Sequence, residues 1–217
     1  MIQAVIFELN GVLADMDLCH RRAWKRMAKE QGLPFDDRLY AQIKGMNIQA
    51  GLEMMLKKAR RGYSLGEKMA LSARQYDLFA DEISALTQEQ MLPGALETIQ
   101  TLKKAGVRMA VEGTDENVKG VLRQLKLLPI MDAVVDAGQV EHLKPDPEAF
   151  LWAARKLSLP PEACLAVEDS RKGAEAALKS GMKLAAVGDA MGCEGAAVHA
   201  ETLEDMDLWA LIREEKI

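Results

Sequence analysis

Short apolar runs that halt at polar or glycine-bearing turns constrain this chain more than any other feature. Ala4-Val5-Ile6-Phe7 stops at Glu8-Leu9-Asn10-Gly11. The pattern recurs over 107–111 before Glu112-Gly113-Thr114, over 133–135, over 164–167 before Glu168-Asp169-Ser170, and over 184–187 before Gly188-Asp189. Runs this short and apolar, with β-branched residues among them, suit strands covered on both faces. The segments between them carry helical spacing: Leu96, Ile99 and Leu102 ahead of Gly106, then Val118, Leu122 and Leu125. Phe150, Ala153, Ala154 and Leu157 follow, and Ala174, Ala177 and Leu178 precede Gly181. Glycine just past such a stripe is a helix stop. Alternating strand and helix predict an α/β fold, a parallel sheet with helices on both faces and strand ends opening into one crevice.

Residues 15–90 break that rhythm. An αβ connection normally takes ~2–6 residues, yet helical spacing here runs over 18–31, closes at Gly32 and resumes over 49–86 with almost no strand signal. The stretch is expected to be an inserted helical cap domain over the strand ends, with 1–14 and 91–217 forming the core domain. Residues 192–217 read as ordinary helix and loop. No repeat or low-complexity segment is present.

The chain is long enough to bury its own core, so a monomer is expected. Lys plus Arg number 28 against 33 Asp plus Glu, a net charge of 28 − 33 = −5. No basic excess exists to neutralise a nucleic-acid backbone or anionic lipid, so neither partner is expected. No apolar run approaches the ~20 residues of a membrane span, and the amino terminus has no basic leader. Cys19, Cys164 and Cys193 are odd in number and form no C-x-x-C pair. Reduced thiols and a cytoplasmic location are expected.

The polar residues after the strands are Glu8 and Asn10, then Gly113, Thr114 and Asp115, then Glu168 and Asp169, with Lys144 in the His142–Pro147 loop. Carboxylates beside an Asn oxygen and backbone carbonyls make the hard, oxygen-rich site that Mg²⁺ prefers. Acids at strand ends also serve as turn formers and helix N-caps, and spacing alone leaves both readings open. Lys144 could offset the charge of a bound phosphate or pair with the carboxylates.

The strand with Glu8-Leu9-Asn10-Gly11-Val12-Leu13, the Lys144-Pro145-Asp146-Pro147 loop and the Val167-Glu168-Asp169-Ser170 turn resemble three motifs of the haloacid dehalogenase-like superfamily, in order. His20, Arg22-Ala23-Trp24-Lys25, Lys44-Gly45-Met46 and Leu92-Pro93-Gly94 are similar to the β-phosphoglucomutase subgroup across essentially the whole chain. The resemblance implies a Rossmann-like core with a four-helix cap, Mg²⁺, and phosphoryl transfer through an aspartyl phosphate on a ligand such as a sugar phosphate. It further implies metal ligands at Glu8, Asn10, Glu168 and Asp169, phosphate contacts from Gly113, Thr114 and Lys144, and cap contacts to substrate from His20, Lys44 and Gly45.

The departures from the family pattern bear on chemistry. Its Asp-x-Asp opening reads Glu8 and Asn10 here. Glu8 adds a methylene, and ~1 Å of misplacement at a reacting centre can cost about a hundredfold. Asn10 cannot titrate, which removes acid-base help of roughly 10²- to 10⁴-fold. Gly113 stands where a hydroxyl binds the phosphate, unless Thr114 supplies it one residue on, and Glu112, Asp115 and Glu116 would repel a phosphate. Asn47-Ile48 replaces the subgroup's Ser-Arg, and Gln75 stands where another basic cap residue is expected.

Three functions follow. One is a degenerate member that binds or regulates. Another is an active Mg²⁺-dependent phosphatase or phosphomutase with Glu8 as nucleophile. The last is changed chemistry on a non-anionic or cationic ligand, suggested by acids crowded around one lysine. Trp24 with Ala23, Met27 and Ala28 is expected to pack in a helical core, His20 to lie on a helix surface, and the Met residues to fill core gaps.

Overall fold

The structure is a computed structural model describing residues 1–59, 61–113 and 117–214, in two compact units, Met1–Asp15 with Thr87–Ile217, and Met16–Leu86. The first unit carries strands β1 (Ala4–Glu8), β2 (Arg108–Glu112), β3 (Ala133–Val135), β4 (Cys164–Glu168), β5 (Lys183–Val187) and β6 (Val198–Ala200). All pairings are parallel and the order is β3-β2-β1-β4-β5-β6, so β1 lies between β2 and β4. The helices of this unit are α5 (Ala95–Lys104), α6 (Val118–Gln124), α7 (Glu148–Lys156), α8 (Arg171–Lys179) and α9 (Leu208–Glu214), numbered after four in the second unit.

Register and a two-residue period decide which side chains share a face. Ile6 stands opposite Ala110 on one side and Ala166 on the other. Ala4, Ile6, Ala110, Cys164, Ala166, Leu184 and Ala186 form one buried layer with Phe150 and Ala153 of α7 and Ala174 and Ala177 of α8. Burying one large apolar side chain in such a layer stabilises the fold by about 1.5–3 kcal/mol. Helices α5 and α6 pack against β2 and β3.

The sheet is α/β and parallel, as the alternation predicts, but it has a sixth strand that the apolar runs do not reveal. β6 spans three residues, and its central His199 is exposed, so no apolar run marks it. Strands β1, β2 and β4 each continue one residue beyond the apolar run, onto Glu8, Glu112 and Glu168.

The second unit contains α1 (Asp17–Gln31), α2 (Asp37–Ile43), α3 (Ile48–Leu56) and α4 (Leu65–Ile83). Helix α1 buries Cys19, Ala23, Trp24, Met27 and Ala28 and stops at Gly32, whose φ of 63° is left-handed. Trp24 packs against Gly51 of α3, so it is a core residue, as its spacing suggests. Met27, Met55 and Met109 are buried as expected, whereas Met46, Met69 and Met191 are exposed. Among the described residues no helix is long and apolar enough to cross a membrane. Among the described residues Cys19, Cys164 and Cys193 form no disulfide.

Candidate active site

Strands β1, β2 and β4 end alike, in AVIFE, RMAVE and CLAVE. Glu8 pairs in register with Glu112, and Phe7 with Val167, so Glu8, Glu112 and Glu168 occupy one level of three adjacent strands. They are in phase with Ile6, Ala110 and Ala166 and extend the α7/α8 face of the sheet. All three are buried, at 4%, 0% and 1% exposure.

Lys144 enters from the loop before α7. That loop is fastened by Glu148, whose carboxylate accepts from the backbone N–H of Glu141 at 2.9 Å and of His142 at 2.8 Å. Asp146 accepts from the Glu148 N–H at 3.0 Å, and the Lys144–Pro145 peptide is cis. Lys144 Nζ donates to Glu8 Oε2, to Glu112 Oε1 at 2.6 Å and to Glu168 Oε1 at 2.5 Å. It also lies 5.2 Å from the centroid of the Phe150 ring.

The remaining carboxyl oxygens differ in their partners. Glu8 Oε1 accepts from the N–H of Leu9 at 2.9 Å and of Asn10 at 3.2 Å. Glu168 Oε2 accepts from the Ser170 N–H at 2.6 Å and hydroxyl at 3.1 Å, and Ser170 caps α8 by accepting from the Gly173 N–H. Glu112 Oε2 is buried and has no hydrogen-bond partner among the described residues. Asp169 folds against Gly11, where a Cβ would lie 2.0 Å from Oδ2; Gly11, at φ 85°, permits both the turn and the approach.

Burial and crowding set the proton affinities. Burial pushes Glu112 well above the usual carboxylate range, and the charge of Glu8 adds to the rise. Burial raises Glu8 as well, with Lys144 pulling it down and Glu168 pushing it up. Asp169 is pushed up to about 7 by burial, then by Glu168 and Glu8. Burial disfavours the Lys144 ammonium, but Glu112, Glu8 and Glu168 together outweigh that and hold its pKa well above the ordinary lysine range.

Glu8, Glu112 and Glu168 can each offer an oxygen within 4.8 Å of the others. With Asp169 and the Asn10 carbonyl nearby in the chain, the donor set is all oxygen and includes one orphaned buried oxygen, so its chemistry fits a hard divalent cation.

Among the sequence candidates, Glu8, Lys144 and Glu168 meet directly. Asn10 joins them through its N–H to Glu8, and Asp169 follows Glu168. Gly113 lies beside Glu8, since a Cβ there would stand 3.5 Å from Glu8 Oε1 and 2.9 Å from Val118. Thr114, Asp115 and Glu116 lie outside the described residues. His20, Lys44 and Gly45 belong to the helical unit. Lys44 pairs with Asp17 at 3.4 Å, and Gly45 adopts φ 73°. His20 corrects the surface reading: it is half-buried and stacked on Phe79, with ring centroids 4.1 Å apart at 9°. Gln75 is buried, with both amide atoms unpartnered among the described residues.

In the sequence Glu112 counts among the acids around one lysine and as a repulsive neighbour of a phosphate, but not among the catalytic, metal or phosphate residues. The signal was the shared terminal Glu of three strands at one period-two phase.

A model of the haloacid dehalogenase-like hydrolases matches residues 2–181. The β-phosphoglucomutase of Bacillus subtilis (strain 168) is 33% identical over 216 residues, covering 99% of this chain and 95% of that protein. The phosphorylated carbohydrates phosphatase of Thermotoga maritima is 29% identical over 184 residues, 84% of this chain and 83% of that protein. Among solved structures, the β-phosphoglucomutase from Clostridium difficile aligns with a TM-score of 0.87 and 25% identity over 100% of this chain and 98% of that one.

Proposed function

The chain belongs to the haloacid dehalogenase-like hydrolase family, and from that premise we propose that it is a β-phosphoglucomutase-like phosphoryl-transfer scaffold whose own turnover of phosphate esters is strongly impaired. Small phosphate esters such as sugar phosphates are the class that this scaffold derives from, in line with relatives named as a β-phosphoglucomutase and a phosphorylated carbohydrates phosphatase.

The observation that carries this reading is the condition of Glu8, which stands at the family's nucleophile position. Both of its oxygens are engaged, Oε1 by two backbone N–H groups and Oε2 by Lys144, and the side chain is buried. Bringing either oxygen into line with phosphorus at ~3–3.5 Å would bend or break these contacts. Asn10 can donate a hydrogen bond but cannot move a proton, and Gly113 offers no hydroxyl. The first two losses alone, at about a hundredfold each, amount to roughly 5 kcal/mol of lost barrier stabilisation, although members of one catalytic unit do not add simply.

Mg²⁺ would be held by Glu8, the Asn10 carbonyl and Asp169, with Glu168 in support. When bound, it would neutralise charge on a phosphoryl oxygen. Lys144 orients Glu8 and Glu168 by bridging them, and Ser170 fixes the second oxygen of Glu168.

The test is steady-state turnover of β-glucose 1-phosphate and of p-nitrophenyl phosphate with Mg²⁺. Wild type is expected to be near background on both. Rates in the ordinary enzymatic range, ~1–10³ s⁻¹, and abolished by Glu8→Ala, would replace this reading with an active enzyme that uses Glu8 as nucleophile.

A further inference from the structure

A lysine ammonium has three N–H donors and no acceptor. Lys144 directs all three at carboxyl oxygens of Glu8, Glu112 and Glu168. Glu8 and Glu168 fall within the matched motifs, whereas Glu112 belongs to none of them. It reaches the lysine because β2 runs one residue past its apolar run and ends level with Glu8.

Packing does not account for this residue. Glu112 is 0% exposed, and its Oε2 lacks a hydrogen-bond partner among the described residues. A buried acceptor left bare destabilises the fold, so an apolar side chain would serve the core better. Among its contacts Glu112 engages the ammonium that a bound anion would need, at 2.6 Å. Three carboxyls around one lysine leave neither a donor nor a net positive field for a dianion.

We propose that Glu112 is the residue that excludes phosphate, its carboxyl standing in for an anion on Lys144. The proposal rests on the reading of these strand ends as a phosphoryl-transfer site. With Glu112 in place, the site favours neutral or cationic groups over phosphate dianions. With Glu112 removed, one Lys144 donor is released toward an incoming anion.

The experiment titrates inorganic phosphate calorimetrically, in Mg²⁺ buffer, into wild type, Glu112→Ala, Glu112→Val and Glu112→Ala/Lys144→Met, each checked for native circular dichroism. The two Glu112 variants differ in cavity size but both remove the acceptor, so one of them remains informative if the other misfolds. Wild type is expected to give no saturable heat, and Glu112→Ala or Glu112→Val to bind at least about tenfold more tightly, a gain worth a single charge-assisted contact. Adding Lys144→Met should abolish the gain. Equal phosphate affinity in wild type and the folded Glu112 variants, no binding by either folded variant, or a gain that survives Lys144→Met would each overturn the proposal. Fast wild-type ester turnover would overturn both readings, whereas slow ester turnover with equal phosphate affinity in wild type and the Glu112 variants would overturn this proposal alone, so the two failures are distinguishable.

Discussion

Gly173 lies in α8 with the Glu168 carboxyl against it: a Cβ built there would be 1.8 Å from Oε1 and 2.0 Å from the carboxyl carbon. Elsewhere in a helix, Gly→Ala stabilises by about 1 kcal/mol through backbone entropy. Here the methyl group must displace a buried carboxyl held by Lys144 and Ser170. Gly173→Ala is therefore expected to lower stability by about 1–3 kcal/mol, read from the urea midpoint. Gly66, near the start of α4, has nothing within 4 Å of a built Cβ, so Gly66→Ala should leave stability unchanged or raise it. The same sign for both variants would contradict the close approach of Glu168. At this scale the sequence tells which residue types are present but not which are pressed together. Gly173 reads as an ordinary helical residue, and only the fold brings Glu168 against it.

Elements start and stop for local reasons, and α4 is the clearest case. Ser64 accepts from the Glu67 N–H while the Glu67 carboxylate accepts from the Ser64 N–H at 2.8 Å, a reciprocal cap reinforced by Arg61 at 2.7 Å. Ser64→Ala should cost about 1 kcal/mol, measured as a lower thermal midpoint. The Ser64 N–H, then Arg61, then the Ser64 hydroxyl hold the Glu67 carboxyl at about 2, against an ordinary value of 4.5. Between those values the folded chain binds fewer protons than the unfolded one, so this contribution is complete above pH 4.5 and is lost as pH falls toward 2. Glu67→Ala should thus melt below wild type at pH 7, with the gap narrowing by pH 3.5; a gap of constant size would contradict a charged cap. Capping and Gly32-type stops are local, and for that reason they are readable from sequence. The strands with apolar runs are legible for the same reason, whereas β6 is not, because its pairing with β5 carries it and its own residues do not announce it.

For the molecule as a whole, the order β3-β2-β1-β4-β5-β6 gathers residues far apart in the chain, Glu8, Glu112, Lys144 and Glu168, into one buried cluster. The strand-end motifs made three of these legible. Glu112 was legible as one acid of the group around the lysine, but its place level with Glu8 required the register between β1 and β2, which apolar periodicity alone does not supply. That register also changes what restoring activity should take. Glu8→Asp shortens the carboxylate and Asn10→Asp returns a proton carrier, but Lys144 stays engaged until Glu112 is gone. The most direct measurement is therefore p-nitrophenyl phosphate turnover with Mg²⁺ by wild type beside the Glu8→Asp/Asn10→Asp/Glu112→Ala variant. An impaired scaffold predicts a rise of at least about a hundredfold in the triple variant, the scale of one restored acid-base group. Wild type already turning over at ordinary rates, and slowed by the same three substitutions, would contradict it.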